Sequence, residues 1–216
     1  MHRRGRTSGE THHLDRAIEL LTRAVKIAPT WVYPRYDRAF LWLRKEEWVK
    51  ALEDYRAVDK LQPEGFFITK TAIWCLEREL RGDFPKGTYI SFVDLEWEEL
   101  ERRKQEIELM ITNLPRFAPA WKDRALLTED SNERGQFLEQ ALSLEPDAEI
   151  YGICILERAN LLNKSGWRSE ARKVLDELGR NAKTTANGKA LIREMLRSWN
   201  ESGEEKAEPK EQVEKS

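Results

Sequence analysis

The sequence repeats one apolar pattern four times, in LLTRAVKIAP (residues 20–29), DYRAVDKLQP (54–63), MITNLPRFAP (110–119) and FLEQALSLEP (137–146). When the four stretches are aligned on their closing proline, apolar side chains recur three positions apart in each of them. This spacing follows one face of an α-helix, and the proline ends the helix because it has no backbone N–H to donate. Four copies therefore predict an all-α chain built as an array of helical units.

Residues 31–63 form the clearest unit, because two apolar stripes flank a short polar turn at Glu46 and Glu47. The stripes predict one helix over 33–45 and a second helix that runs from 48 to a stop at Pro63. Two helices joined by so short a turn are expected to pack antiparallel and to bury their apolar stripes against each other.

Small residues recur where the two helices of a unit are expected to meet. Ala39 and Ala51 lie twelve positions apart, and Ala159 and Ala171 repeat that spacing with Gly166 in the turn between them. Side chains of this size let two helices approach closely, while larger side chains fill the edges of the contact.

The spacing resembles that of a tetratricopeptide repeat. In residues 31–63 the match consists of Tyr36, Arg38, Ala39, Ala51, Tyr55, Val58 and Pro63. A second close match covers 150–178, and the other units match in part. The resemblance implies a right-handed α-α superhelix, a solenoid of about five helix pairs with a C-terminal capping helix. It also implies that the first helix of each pair lines a concave groove, which takes a peptide or a helix from a partner protein.

Composition along the chain predicts three segments. Residues 1–12 and 201–216 are polar and charged with no apolar period, so we expect both to be disordered. The repeat domain is expected to cover 13–200, beginning with a helix over 13–28 that Thr11 caps. It ends with a helix over 185–199, which would seal the apolar face of the last pair.

The third unit carries an insertion at 81–94 of RGDFPKGTYISFVD. Its first helix is predicted over 66–80, and its second over 95–114 with Asp94 as N-cap, although Pro115 should end that helix early. Two interpretations of the insertion remain open at this stage. It contributes to a binding surface, or it folds down and covers a helix face that would otherwise be exposed.

The composition excludes several classes of function. The 216 residues carry a formal net charge of −2, and the basic residues do not gather with aromatic residues on one element, so we expect neither nucleic acid nor membrane as partner. The sequence contains no Gly-rich phosphate loop, no G-x-S-x-G and no H-E-x-x-H motif, so no enzyme and no cofactor are predicted.

Cys75 and Cys154 lie far apart in apolar stretches, which favours free buried thiols. Without a secretory signal, a cytoplasmic location is expected.

Side chains on the predicted first helices are the candidates for contact with a partner. They offer aromatic rings, an amide and several cations, a combination suited to an extended peptide or an acidic C-terminal peptide. The predicted partner-binding residues are Tyr33, Tyr36, Phe40, Lys70, Trp74, Lys122, Leu126, Asn160 and Lys164. Packing between repeats is the competing role for the aromatic members of this set. Only Asn160 and Lys164 resemble the Asn and Lys pair with which some tetratricopeptide proteins clamp a terminal carboxylate.

Two other functions compete with the groove. The first is a structural subunit that forms a homo-oligomer through its N-terminal helix, because a helix over 13–28 without a preceding partner helix would leave apolar surface uncovered. The second is a ligand-binding or enzymatic protein whose pocket is walled by 81–94, with Asp83, Tyr89 and Asp94 as the polar groups. His12 and His13 are not expected to form a metal site, because a terminal segment lacks preorganised geometry.

The arginines Arg38, Arg124 and Arg158 precede a small residue in three of the units. Their repetition predicts a structural role, in which each guanidinium reaches an acidic residue or a carbonyl group on a neighbouring helix while its stem covers apolar surface.

Overall fold

The protein is described by a computed structural model over residues 8–201, and its contacts divide the chain into two compact units, Met1–Glu99 (unit 1) and Leu100–Ser216 (unit 2). Between residues 8 and 201 the regular secondary structure is helical, and no strand occurs there. The predicted all-α class is confirmed.

From residue 8 onward, unit 1 contains five α-helices followed by a short 3₁₀ turn, Leu95–Trp97. The helices are α1 (Ser8–Ile27), α2 (Tyr33–Arg44), α3 (Trp48–Leu61), α4 (Thr69–Arg81) and α5 (Thr88–Asp94). Helix α1 starts at Ser8, so it takes in residues 8–12, and Thr11 lies inside the helix rather than at its N-cap. Residues 1–7 of the segment expected to be disordered lie outside the described residues.

The first four helices of unit 1 pack in chain order, α1 on α2, α2 on α3 and α3 on α4. Ala39 and Ala51 are fully buried in the α2–α3 contact, and Tyr55 and Val58 fill its edge with almost no exposed surface. The three-residue connection between α2 and α3 makes this pair antiparallel. The predicted unit of residues 31–63 is thus confirmed as a helix pair held together by small residues at its centre.

The insertion at 81–94 folds onto unit 1 rather than projecting from it. Gly82 (φ 87°) ends α4 in the left-handed conformation, and Gly87 (φ 90°) begins α5. Tyr89 and Phe92 of α5 are buried. The stretch YISFV is therefore helical, with its aromatic side chains covering the core of unit 1. Of the two interpretations open from sequence, the structure favours the second.

The carboxylate of Glu79 holds the insertion in place. It is 1% exposed and accepts hydrogen bonds from the backbone N–H groups of Gly87 (2.7 Å) and Tyr89 (2.6 Å). Burial raises the pKa of this carboxyl above its ordinary value of 4.5, while the two backbone bonds act in the opposite direction. At the other end of α5, Asp94 accepts a hydrogen bond of 2.9 Å from Arg44 of α2.

Up to residue 201, unit 2 contains six helices. They are α6 (Leu100–Asn113), α7 (Ala118–Leu126), α8 (Ser131–Ser143), α9 (Ala148–Lys164), α10 (Arg168–Arg180) and α11 (Ala186–Glu201). Each packs on the next, and α9 also contacts both α7 and α11, so that alternate helices share one side of the unit. Ala159 and Ala171 are fully buried between α9 and α10, and Ile192 and Trp199 of α11 cover that core as the predicted capping helix. Beyond Glu201, the predicted tail lies outside the described residues.

Arginine side chains bridge neighbouring helices in both units. Arg38 donates a hydrogen bond to Asp54 of α3. Arg124 forms an ion pair with Glu108 of α6, and Arg158 forms one with Glu139 of α8 at 3.2 Å. The predicted structural role of these three arginines is confirmed.

Several predicted helix ends differ from those in the structure. Helix α6 begins at Leu100, so Asp94 is not its N-cap, because residues 88–97 form α5 and the 3₁₀ turn instead. Helix α6 does end at Asn113, ahead of Pro115 as expected. Side-chain caps occur at Asp130 and Asp147, whose carboxylates accept two backbone N–H groups each at the starts of α8 and α9. None of the helices within residues 8–201 has the length and apolar character needed to cross a lipid bilayer.

Candidate functional site

The start of α2 places several aromatic and acidic side chains on one face of a helix. Pro34 occupies the first turn, where its fixed φ angle suits a helix and its missing N–H costs nothing. Tyr33, directly before Pro34, is spaced four residues from Asp37, which is spaced three from Phe40, and Tyr36 lies beside them. Side chains three and four positions apart are neighbours on a helix surface, so α2 presents a continuous surface of aromatic rings and one carboxylate.

The connection between α3 and α4 adds two more rings to that surface. Gly65 (φ 106°) turns the chain, and Phe67 adopts a positive φ of 48°, which is uncommon for a non-glycine residue. The ring of Phe66 lies 4.9 Å from that of Tyr33, and the ring of Phe67 lies 5.1 Å from that of Tyr36, measured between centroids. Together with Trp31, these four side chains make up what we call the aromatic surface.

The aromatic surface is partly open to solvent. Trp31, Tyr33 and Phe67 are 54%, 48% and 56% exposed, whereas Tyr36 and Phe66 are half-buried beneath them. Large aromatic side chains are usually mostly buried. Three exposed rings next to one another therefore form an apolar patch whose exposure to water is unfavourable.

A cleft between α1 and α2 borders the aromatic surface. Its volume is about 580 Å³, and its lining residues are Leu20, Leu21, Ala24, Trp31, Tyr33, Pro34 and Asp37. All but one of these residues are apolar or aromatic. We call this space the α1–α2 cleft.

Asp37 supplies the one acidic side chain of the α1–α2 cleft. Asp37 is an exposed residue of α2, and its partial desolvation raises the pKa of its carboxyl above the ordinary value of 3.8. Within residues 8–201 this carboxylate has no hydrogen bond and no ion pair. The cations next to it in sequence, Arg35 and Arg38, are instead 3.9 Å and 2.6 Å from Asp54.

The other predicted partner-binding residues of unit 1 take part in packing. The guanidinium of Arg44 lies 4.9 Å from the ring of Phe40, and the ammonium of Lys70 is 2.5 Å from Asp59. Trp74 is 9% exposed and lies under the guanidinium of Arg78 at 3.7 Å. The structure therefore brings Tyr33 and Tyr36 together at an open surface, and it places Lys70 and Trp74 in contacts within unit 1.

The predicted residues of unit 2 lie on α7 and α9. Lys122 forms an ion pair with Asp123, whose carboxylate also accepts a hydrogen bond of 2.7 Å from Arg103 of α6. Leu126 is exposed at the end of α7. Asn160 is half-buried and Lys164 is exposed one turn later on α9, so these two lie on one face as expected.

The insertion does not assemble the polar pocket that the enzymatic alternative requires. Tyr89 is 1% exposed and packs edge to face on Tyr55 at 6.4 Å. Asp94 accepts a hydrogen bond from Arg44, and Asp83 accepts one from Arg81 at 2.9 Å. These three groups are thus engaged in separate contacts of unit 1. Across residues 8–201, no group of three or more His, Cys, Asp or Glu side chains is placed to hold a metal ion.

Sequence reasoning does not identify Trp31, Asp37, Phe66 and Phe67 as members of a site. A signal is present at Phe66 and Phe67, because two aromatic residues directly after Pro63, Glu64 and Gly65 are unusual for a solvent-exposed turn. The apolar pattern places both residues at the start of a helix over 66–80, whereas α4 begins at Thr69.

The helix pairs, their buried alanines and their bridging arginines define the described chain as an all-α protein built from packed helix pairs. No protein-family model matches the chain, and no curated protein matches it. Among solved structures, it is similar to a thermophilic TPR protein from Thermus thermophilus. The identity is 20% and the TM-score is 0.40, over 87% of this chain and 93% of that chain.

Proposed function

We propose that this chain is a non-catalytic protein-interaction module whose partner, a peptide or a helix of another protein, docks on the aromatic surface of unit 1. Helical-repeat folds of this class generally bind proteins, and fold alone gives no more than that level of function. The observation that supports this surface is the contiguous exposure of Trp31, Tyr33 and Phe67, because clustered aromatic side chains supply most of the affinity at protein interfaces.

The backbone of Phe67 supports the same proposal. A positive φ at a phenylalanine costs free energy, and Phe67 is 56% exposed even though one side of its ring contacts Tyr36 and Phe66. Strained positions of this kind are concentrated at binding and catalytic sites. Contact between the exposed ring of Phe67 and a partner would offset the backbone strain at this residue.

The groove candidates outside the aromatic surface belong to the proposal as secondary contacts. Phe40 on α2 continues the face of Tyr33 and Tyr36, and in unit 2 Leu126 and Lys164 are exposed on α7 and α9. We expect their substitution to weaken binding less than substitution within the aromatic surface. Both cysteines in the described chain are buried and outside any disulfide, which supports a reducing compartment such as the cytoplasm as the place of this interaction.

Affinity capture with matched variants tests the proposal. The full chain, a Trp31→Ser/Phe67→Asn variant and a Trp97→Ser control are each used to capture proteins from lysate of the source cells. Asparagine tolerates a positive φ, so the double variant is expected to fold, and unchanged helical content by circular dichroism must show it. Trp97 is 84% exposed outside the aromatic surface, so it controls for the loss of an exposed ring.

The expected result is a protein retained by the unaltered chain and by the control, and lost from the double variant. Equal retention by all three chains would move the binding site away from the aromatic surface.

Self-association is the second candidate function, and the exposure of α1 favours it. Ile27 is 84% exposed and Leu20 is 50% exposed, which leaves apolar surface on this helix uncovered in the described structure. A mass by light scattering that doubles with concentration, and that returns to the monomer value in an Ile27→Glu/Leu20→Glu variant, would support this function. A monomer at all concentrations would remove it.

A further inference from the structure

The α1–α2 cleft combines apolar walls with one carboxylate, and this combination specifies the chemistry of what enters it. Leu20, Leu21 and Ala24 form the α1 side, while Trp31 and Tyr33 supply aromatic rings. Asp37 of α2 lines the same space and makes no ion pair within residues 8–201. A carboxylate next to apolar surface is most favourably compensated by a cation that brings its own hydrogen-bond donors.

Arginine satisfies both features of the cleft better than lysine does. Its planar guanidinium donates two parallel N–H groups to one carboxylate, and its flat faces stack on aromatic rings. It is also more weakly hydrated than an ammonium group, so its transfer into an apolar cleft costs less. The same molecule shows this chemistry at Arg38, whose guanidinium donates to both carboxylate oxygens of Asp54.

We propose that the α1–α2 cleft receives a partner segment that inserts an arginine side chain at Asp37 and lays apolar side chains against Leu20, Leu21 and Ala24. This inference rests on the proposed function, because Trp31 and Tyr33 belong both to the cleft and to the aromatic surface. It also replaces the acidic peptide expected from sequence. That expectation depended on cations such as Lys70 and Lys122, which the structure pairs with Asp59 and Asp123.

A peptide array with one varied central position provides the test. Random flanking residues surround a centre that is arginine, citrulline, glutamate or leucine, and the labelled full chain is applied to it. Citrulline keeps the shape of arginine and removes its charge. The strongest peptide is then synthesised in its arginine and citrulline forms and titrated against the unaltered chain, Asp37→Asn and a Glu53→Gln control. Glu53 is an exposed residue of α3 that does not line the cleft.

The array is expected to select arginine at the centre. For the unaltered chain and for Glu53→Gln, the citrulline form should bind at least about tenfold more weakly than the arginine form. For Asp37→Asn that ratio should fall to less than about threefold. The variant lacks the carboxylate that attracts the arginine peptide more strongly than the uncharged citrulline peptide.

Four outcomes would overturn the inference. The first is peptides selected without preference for arginine, and the second is an arginine preference that Asp37→Asn leaves unchanged. In the first case the proposed function still stands if Trp31→Ser/Phe67→Asn abolishes binding, so the two failures can be told apart. A third is arginine-peptide binding only after Arg3, Arg4 and Arg6 are replaced by serine, which would assign the cleft to the chain's own N-terminal residues. A fourth is a dimer that Asp37→Asn dissociates, which would assign the cleft to a second copy.

Discussion

Arg38 of α2 and Asp54 of α3 form a two-point contact across the central helix pair of unit 1, with Nε 2.7 Å from Oδ2 and Nη2 2.6 Å from Oδ1. Their side chains are 14% and 7% exposed, and Thr22 of α1 accepts a further hydrogen bond of 3.0 Å from the same guanidinium. One arginine therefore links three consecutive helices. The sequence spacing of 16 residues covers the second half of α2, the turn and the first half of α3.

Replacement of Arg38 by alanine should destabilise unit 1 by about 3 kcal/mol, because the carboxylate of Asp54 would remain largely buried without its main partner. Urea denaturation followed by circular dichroism measures the change in the free energy of unfolding. The exposed pair Arg23 and Glu19 on α1 provides the control, and Arg23→Ala should change the stability by less than about 1 kcal/mol. Equal effects at the two arginines would contradict the structural role assigned to Arg38.

Substitution of Glu79 by glutamine should alter how stability depends on pH. The pKa of Glu79 is raised in the folded protein, so the folded state binds the proton more tightly than the unfolded state does. Its contribution to stability is therefore complete below the ordinary pKa of 4.5 and is lost as the pH rises through the raised folded-state pKa. Urea unfolding between pH 4 and 8 measures this.

The stability of the unaltered protein relative to Glu79→Gln should fall across that pH range and then level off. Glu53→Gln, at an exposed position of α3, serves as the matched control. A difference between the unaltered protein and Glu79→Gln that is constant with pH would rule out Glu79 as the titrating group.

Two glycines should respond in opposite directions to alanine. Gly87 has a φ of 90°, and a Cβ built there lies 3.6 Å from Trp48, so Gly87→Ala should cost about 1–2 kcal/mol in backbone strain. Gly135 lies inside α8 with open space around its Cβ position, so Gly135→Ala should add about 0.5–1 kcal/mol through helix propensity. Melting temperatures of the two variants provide the comparison, and a fall in both would contradict the open space at Gly135.

Adjacent residues on α11 should differ sharply in their effect on unit 2. Ile192 is 5% exposed and belongs to the core of that unit, whereas Leu191 is 46% exposed. Ile192→Ala is expected to cost about 2–4 kcal/mol, and Leu191→Ala less than about 0.5 kcal/mol. Denaturant titration of both variants tests whether α11 seals the last helix pair. Similar values for the two would mean that α11 does not pack as described.

Both thiols should be inert in the folded protein. Burial raises the pKa of Cys154 to about 12, and Cys75 is fully buried. A disulfide reagent attacks through the thiolate, so neither cysteine should react at neutral pH until the protein unfolds. Absorbance after addition of an aromatic disulfide, with and without guanidinium chloride, measures this. Rapid modification of either thiol in native buffer would show that its helix opens readily.

The regular part of the fold is predictable because its determinants are local. Ala39 and Ala51 define a helix contact by their size, and Arg38 next to Ala39 indicates the bridge to the following helix. Pro29, Pro63 and Pro146 follow the ends of α1, α3 and α8 as predicted. Pro115 ends α6 through its restriction on the preceding residue. The prediction is wrong at Pro119, which lies in the first turn of α7, where its missing N–H is tolerated. In each case the residue and the helix contact or helix end that it determines lie within one helix pair.

The irregular parts depend on contacts that the local pattern does not encode. The stretch YISFV is rich in β-branched and aromatic residues, a composition that also suits a strand. It becomes helical where Tyr89 and Phe92 can be buried and Glu79 accepts the first N–H groups. The exposure of Ile27 does not follow from the sequence, because an apolar stripe does not tell where the packing partner ends.

The candidate site is predictable only in part. Tyr33 and Tyr36 are identified by their place on a first helix. The cleft around Asp37 depends on how α1 and α2 pack, and the placement of Phe67 depends on a positive φ that no local pattern signals.

The attachment of the insertion also bears on how unit 1 folds. Glu79 meets its two backbone donors only eight and ten residues further along the chain, so closing this loop costs little chain entropy. Contacts of such short range form quickly, and we expect α4 and α5 to assemble as one early hairpin. A deletion of 82–93 would then remove a folding nucleus as well as the core side chains of Phe84, Tyr89 and Phe92, and its effects would be seen first in the refolding rate.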